Sequence, residues 1–157
     1  MSSKFLISIL CLIVFAAEPL AAAQKPGKPS SQDKCPVCGM FVSKYPEWYS
    51  EIIFKDGSHF YFDGSKDMFK YYLDVRKYNP SKTLNDVDSL YVTEYYSVLL
   101  IDARTAYYVI GSDIMGPMGR ELVPFSTKED ADAFVKDHKG RTIRFKDVTA
   151  AILKGLD

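Results

Sequence analysis

Alternation of apolar and polar positions predicts the elements in the first half of the chain. Two short runs rich in aromatic and β-branched residues, 50–54 and 58–62, are joined through an Asp-Gly pair that favours a tight hairpin turn. Apolar residues then recur at spacings of three and four, which predicts one face of a helix over 66–78. A further strand-like run covers 89–95. The predicted order is therefore strand, strand, helix, strand.

The second half of the chain repeats this order. Strand-like runs occupy 97–102, 105–110 and 121–125, and Ser-Thr-Lys-Glu at 126–129 opens a helix with a capping-box pattern. That helix is predicted to end at Gly140, and residues 141–148 then alternate as in a strand.

These patterns predict a mixed α+β domain over residues 35–157, built from two ββαβ-like halves at about 35–96 and 97–157. The similarity of Phe62-Asp63 to Phe125-Ser126, both at strand-to-helix junctions, supports a duplication. A half of this length is too short to bury a core alone, so we expect the two halves to pack together.

The first 23 residues have the pattern of a secretory signal peptide. Lys4 precedes an apolar run over 5–17, and small residues at Ala21 and Ala23 favour cleavage before Gln24. The apolar run is shorter than the roughly 20 residues that cross a bilayer. An uncleaved membrane anchor is the alternative interpretation.

Export is expected to place the mature protein in the periplasm or the medium. Cys11 follows Leu10 rather than a small residue, so no lipid-modified cysteine is predicted. Residues 24–34, rich in Lys, Pro, Ser and Gly, are predicted to be a flexible leader.

Charge and composition narrow the candidate functions. The 157-residue chain has 20 basic and 20 acidic side chains, so its formal net charge is zero. Nucleic-acid-binding proteins normally carry a basic surface, so no nucleic-acid partner is expected. Any metal or redox chemistry must draw on three cysteines, five methionines and two histidines.

Two segments do not fit a regular helix or strand. The first, 35–40, has the sequence CPVCGM and places two thiols three positions apart, so that both sulfurs can reach one ion. The second, 115–119, has the sequence MGPMG, and its Gly and Pro residues disfavour a helix interior or a central strand. The candidate metal ligands in the two segments are Cys35, Cys38, Met40, Met115 and Met118.

Three chemistries compete for the cysteine pair. Structural zinc prefers four nitrogen or sulfur ligands, but His59 and His138 are far apart in the sequence. Thiol-disulfide exchange normally places its CxxC motif at the start of a helix, and Gly39 and Pro46 leave no room for one here. Cu(I) is soft and selects thiolate and thioether sulfur. Cu(I) is therefore the ion that these residues fit best.

Several short motifs follow one another along the chain. They are Cys38-Gly39-Met40, then Phe60-Tyr61-Phe62-Asp63 before a helix that contains Asp67-Met68, then Gly116-Pro117-Met118-Gly119-Arg120-Glu121 followed by Pro124-Phe125. In this order they resemble the NosL family of exported copper-binding accessory proteins. The resemblance covers about 35–148, and the ordered combination is more specific than any one motif.

The resemblance implies two ββαβ halves, binding of Cu(I), and delivery of copper to nitrous oxide reductase through a membrane-bound maturation complex. By position, it implies that Cys38 and Met118 are copper ligands. Many members have a lipidated cysteine at the cleavage site, where this sequence has Gln24, and some have His where it has Arg120. Arginine does not ligate metals, so Cys35 is expected to supply the missing ligand.

We therefore expect a metallochaperone rather than an enzyme, in which Cys35 and Cys38 hold Cu(I) with Met118, Met115 or Met40 assisting. The expected partner is a copper-accepting enzyme or a membrane maturation complex, and membrane association is expected only through that partner. Two alternatives use the same cysteine pair. One is a periplasmic thiol-disulfide redox protein, and the other is a metal-free interaction module in which the CxxC motif is a disulfide staple.

Overall fold

The computed structural model describes residues 24–157 of the chain. The predicted signal peptide, 1–23, lies outside the described residues. Within residues 24–157, none of the helices has both the length and the apolar character needed to cross a membrane.

Four antiparallel strands form the larger sheet, in the order β2-β1-β3-β4. Their bounds are Ser50–Phe54 for β1, His59–Phe62 for β2, Val87–Thr93 for β3 and Leu100–Asp102 for β4. All residues of β1 are buried, because this strand pairs with β2 on one side and β3 on the other. The turn between β1 and β2 holds Gly57 at a φ of 81°, which confirms the predicted tight turn.

Helix α1, Ser65–Leu73, follows β2 and packs against the larger sheet. Its buried side chains include Met68 and Tyr71, which lie on the predicted apolar face. The single helix predicted over 66–78 is interrupted at Asp74, whose backbone leaves the helical region, and α2 continues at Val75–Tyr78.

Three antiparallel strands form the smaller sheet. Two of them are β5, Tyr107–Ile110, and β8, Val123–Phe125. Between these two strands the chain forms a separate short hairpin of β6, Met115–Gly116, and β7, Gly119–Arg120. Helix α3, Lys128–His138, leads to β9, Arg141–Arg144. The strand order is β8-β5-β9. The Thr127 hydroxyl caps α3 by accepting the N–H of Asp130, one residue later than the predicted capping box of Ser126 and Glu129.

The two sheets share one arrangement, which confirms the mixed α+β class and the two ββαβ-like halves. In β2-β1-β3 and in β8-β5-β9, the first strand of each unit is central and a helix joins the second strand to the third. β4 departs from the prediction, because it lies in the sequence assigned to the second half yet pairs with β3. β4 therefore extends the sheet of the first half, and the boundary at about residue 97 stays a prediction.

Two further differences concern the end of the described chain. The strand predicted over 141–148 ends at Arg144, where a 3-10 turn, Phe145–Asp147, begins. A short helix not predicted from the sequence, α4 at Ala150–Lys154, follows and packs against α1. Its five residues are too few for a clear helical periodicity.

The predicted leader begins with residues that lie against the larger sheet. The N–H of Gln24 donates to Asp88, its side-chain amide donates to the carbonyl of Phe54, and its own carbonyl accepts the Tyr91 hydroxyl. The N–H of Gly27 donates to the buried carboxylate of Glu51 at 2.9 Å. The assignment of 24–34 as a leader stays a prediction, but residues 24–27 are docked on the sheet rather than free.

Phe69 on α1 joins the two halves. Its ring centroid lies 5.2 Å from that of Tyr108 on β5 and 5.1 Å from that of Phe145 in the 3-10 turn. All three side chains belong to, or pack against, the main core, which draws residues from both sheets. The domain therefore has a shared core in addition to a smaller cluster between α3 and the second sheet.

We predict that Phe69→Ala lowers the free energy of unfolding by about 3–5 kcal/mol, because it removes a large ring from this shared core. Urea denaturation followed by circular dichroism measures the change. Leu73→Ala, at an exposed position of the same helix, is the matched control and should cost less than about 1 kcal/mol. Equal losses in the two variants would show that Phe69 does not join the halves.

Candidate metal centre

The CxxC segment folds back on itself as a short loop. Lys34 and Phe41 form an antiparallel bridge that closes the loop at its base. Inside it, the N–H of Cys35 donates to the carbonyl of Met40 and the N–H of Gly39 donates to the carbonyl of Cys35, both at 2.8 Å. Gly39 has a φ of 80°, a conformation that a residue with a Cβ rarely adopts. This backbone turn presents both thiols to the same part of the protein.

The thiols face the junction between β2 and α1. Asp63 lies between β2 and the helix, Gly64 is the residue before the first helical turn, and Asp67 lies within that turn. Acidic side chains are favoured there because the free N–H groups of a helix start carry a partial positive charge. The junction thus brings two carboxylates to the place where the CxxC loop packs.

Four side chains meet at this junction, with one ligand atom from each within 4.8 Å of all the others. They are Cys35, Cys38, Asp63 and Asp67, which we call the thiol-carboxylate cluster. The Cys35 thiol donates to Asp67 Oδ2 at 3.4 Å, and the Cys38 thiol donates to Asp63 Oδ1 at 3.2 Å. The predicted proximity of two sulfurs is present, together with two oxygens.

Burial sets the protonation of the two thiols. Cys35 is only 1% exposed, whereas Cys38 is partly exposed. Burial raises the pKa of Cys35 far above its usual range, and it raises the pKa of Cys38 to about 12. The Asp63 carboxylate raises both pKa values further. The cluster therefore holds protonated thiols at neutral pH, and a metal that binds thiolate must displace their protons.

The donor set suits a metal ion. Asp63 Oδ2 is buried and has no hydrogen-bond partner among residues 24–157. Such an atom is costly unless something satisfies it, and a cation can do so. Two thiols and two carboxylates also make four potential ligands, a number that zinc accepts. Asp63 and Asp67 take the places that histidines occupy in many zinc sites, so zinc is also compatible with this cluster.

The predicted methionine ligands occupy two positions in the fold. Met40 is partly buried in the CxxC loop, where its carbonyl accepts the N–H of Cys35. Met115 and Met118 are 56% and 43% exposed and belong to the short hairpin of β6 and β7, which we call the methionine hairpin. Its backbone reaches α1, because the Met118 carbonyl accepts a hydrogen bond from Lys66 Nζ at 2.9 Å. The hairpin is therefore tied to the helix turn that carries Asp67.

Sequence reasoning did not assign Asp63 and Asp67 to the site. Both stand in the motifs that resemble a known family, and their spacing of four across a strand-to-helix junction was the available signal. The two histidines have other contacts: His59 bonds to Glu51, and His138 Nδ1 lies 3.0 Å from Asp113. Neither histidine belongs to the thiol-carboxylate cluster.

Comparison with known proteins gives consistent results. The NosL family model matches residues 26–153. The copper-binding lipoprotein NosL of Stutzerimonas stutzeri is 32% identical over 130 residues, which are 78% of this chain and 65% of that protein. The protein of the same description from Achromobacter cycloclastes is 43% identical over 54 residues, which are 34% of this chain and 28% of that protein.

A solved structure is similar over most of the fold. The crystal structure of the copper chaperone NosL from Shewanella denitrificans matches with a TM-score of 0.71 at 28% identity. The match covers 81% of this chain and 97% of that chain. By contrast, the chain spans slightly less than two thirds of the length of the Stutzerimonas relative.

We predict that the thiols of the native metal-free protein react with iodoacetamide far more slowly than the same thiols in denaturant. A raised pKa keeps each thiol protonated, so the reaction rate should continue to rise as the pH passes about 8.5, the usual pKa of a thiol. Asp63→Asn removes a carboxylate that raises both pKa values and should speed the reaction. Asp56→Asn, at an exposed turn residue, is the control. Half-maximal reactivity near the usual thiol pKa would contradict the prediction.

Proposed function

The chain belongs to the NosL family, and on that premise we propose that it is an exported metallochaperone that holds Cu(I) and passes it to a copper-accepting partner. The observation that carries this proposal is the convergence of Cys35 and Cys38 at one point, beside a buried carboxylate oxygen that has no hydrogen-bond partner in the described part of the chain. The names of the relatives support the choice of copper, since two are called copper-binding and the solved structure is called a copper chaperone.

In the proposed complex the two thiolates are the principal ligands. Thiolate sulfur is soft and matches Cu(I), and the short loop already brings both sulfurs to one side. Met118 is the proposed thioether ligand, with Met115 and Met40 as further donors of the same kind. Asp63 and Asp67 accept hydrogen bonds from the thiols in the metal-free protein and favour any cation that replaces those protons.

The exposed methionines suggest how the ion leaves. A thioether is a neutral, weaker ligand than a thiolate, so it is the ligand that an incoming sulfur of the partner would replace first. Transfer by ligand exchange requires no bond-making catalysis, which is why the protein is proposed as a carrier and not as an enzyme. The position of Met115 and Met118 on an exposed hairpin fits such a contact.

The partner and location follow the family resemblance. We propose nitrous oxide reductase, or the membrane complex that matures it, as the acceptor, and the periplasm as the compartment. The relatives are described as lipoproteins. This sequence has Gln24 where a lipidated cysteine would stand, so membrane association is proposed to occur only through the partner.

No observation favours the thiol-disulfide alternative. Catalysis of exchange needs a thiolate, which a lowered pKa provides. Burial instead raises the pKa of both Cys35 and Cys38, and both are free thiols. The third interpretation, a disulfide staple, would require a bond between two cysteines that are free thiols in this structure.

We predict that a protein with both Cys35→Ser and Cys38→Ser loses tight Cu(I) binding, because a hydroxyl is a poor ligand for a soft ion. Anaerobic titration of Cu(I) against a competing chelator measures the affinity, and circular dichroism checks that the variant is folded. A parallel titration with Zn²⁺ tests the choice of metal. Affinity near that of the wild type in the double variant, or a preference of the wild type for zinc, would contradict the proposal.

We predict that Met118→Leu weakens Cu(I) binding about tenfold, which corresponds to about 1.4 kcal/mol, while the fold stays intact. Leucine keeps the apolar character of the side chain and removes only the sulfur. Met68→Leu makes the same replacement at a fully buried core position of α1 and should bind Cu(I) like the wild type. Equal affinities in all three proteins would remove Met118 from the ligand set.

A further inference from the structure

Lys66 is a buried lysine in the first turn of α1, and only 2% of it is exposed. Its ammonium donates to the carbonyl of Met118 at 2.9 Å and to the carbonyl of Leu156 at 3.2 Å, and it lies 3.5 Å from Asp157 Oδ1. Removing an ammonium from water is costly unless its hydrogen bonds are well made. This cation therefore forms a fixed connection between α1, the methionine hairpin and the segment after α4.

Glu121 makes a second connection at the same place. It directly follows β7 and is 3% exposed. Its Oε1 atom accepts two backbone hydrogen bonds, from the N–H of Lys66 at 2.5 Å and from the N–H of Leu122 at 2.9 Å. The Lys66 N–H is one of the groups at a helix start that lack a partner inside the helix. The Glu121 carboxyl group at the end of the methionine hairpin thus accepts a hydrogen bond from a backbone N–H at the start of α1.

Two glycines make room for this contact. A Cβ at Gly64 would collide with the Glu121 carboxylate, and one at Gly116 would come within 3.1 Å of Glu121 Cγ. The φ of Gly64 is −167°, which is ordinary extended backbone, so its requirement is space rather than conformation. Close packing on both sides leaves the Glu121 side chain little freedom to move.

We propose that Lys66 and Glu121 are positioning residues, which hold the methionine hairpin at the start of α1 and so fix where Met118 meets the metal ion. Lys66 lies in sequence between the two carboxylates of the thiol-carboxylate cluster, so its side chain and its N–H tie the hairpin to the helix turn that carries the site. The inference rests on the proposed copper site and explains how a ligand from the second half is brought to residues of the first.

The first test is Lys66→Met, which keeps an unbranched side chain of similar length and removes the ammonium. We expect Cu(I) affinity to fall by about tenfold, the low end of the range seen when groups that orient a ligand are removed and no more than the loss expected for Met118→Leu. Amide hydrogen exchange over 115–120 should become faster, because the carbonyl of Met118 loses its donor. Lys128→Met, which removes an exposed ammonium from the first turn of α3, is the control.

A double variant separates a positioning role from a general loss of stability. If Lys66 acts through Met118, the change Lys66→Met should weaken binding in the wild type and add nothing in a Met118→Leu background. The same fold-loss in both backgrounds would overturn the proposal. An unchanged affinity and unchanged hydrogen exchange of 115–120 in Lys66→Met would overturn it as well.

Glu121 provides a second pair of variants should Lys66→Met fail to fold. Glu121→Gln keeps an oxygen that accepts both N–H groups and should retain Cu(I) affinity, whereas Glu121→Leu removes the acceptor and should weaken binding as Lys66→Met does. Equal affinities of these two variants would overturn the positioning role. Failure of the copper assignment itself gives a different result, because the wild-type protein would then bind no Cu(I).

Discussion

The crowding of two thiols and two carboxylates at the start of α1 is the constraint on which the rest of the site depends. Four groups that can each carry negative charge lie within 4.8 Å, and all but Cys38 are buried. Without a cation they remain together only because the thiols stay protonated and donate hydrogen bonds to the carboxylates. The turn at Gly39 holds the CxxC loop in this arrangement, and the lack of a Cβ at Gly64 lets Glu121 pack against the same helix start.

The duplicated fold explains how the methionine hairpin comes to pack on the helix that carries Asp67. Both halves begin with an antiparallel pair, β1 with β2 and β5 with β8. The first pair is joined by the tight turn at 55–58, whereas the second is joined by 111–122, which contains the methionine hairpin. The hairpin is therefore an extension of a turn in the second half, and it packs on the helix of the first half through Lys66 and Glu121. The thiol-carboxylate cluster lies within the first half, and two of the proposed methionine ligands, Met115 and Met118, come from the second.

Local sequence patterns were sufficient for most of the framework, because strand alternation and helix caps depend on neighbouring residues. The bounds of β1 agree with the prediction for that reason, and the cap of α3 lies one residue from the predicted position. The break at Asp74 is a local change of backbone conformation that the apolar spacing does not indicate. The pairing of β4 with the first sheet depends on packing between elements, which the periodicity of one segment does not indicate either. The same holds for α4, whose apolar residues gain their partners from α1.

The site shows the same difference between what neighbouring residues indicate and what only tertiary packing determines. The two cysteines lie close in sequence, so their shared role was evident, but Asp63 and Asp67 join them only through tertiary packing. An aspartate near a helix start is ordinarily explained by the helix itself. Lys66 was harder still to recognise, since lysine is among the residues least often buried, and its burial becomes apparent only once the hairpin is in place.

The unequal burial of the two cysteines gives the proposed transfer a direction. Cys35 is enclosed in the core, whereas Cys38 is partly exposed and the hairpin methionines are more exposed still. A partner sulfur approaching from solvent can replace a thioether first, then the Cys38 thiolate, and the Cys35 thiolate last. Each displaced cysteine recovers a proton readily, since burial and the neighbouring carboxylates favour the thiol form. The features that keep the metal-free thiols protonated therefore also make release of the ion to a partner more favourable.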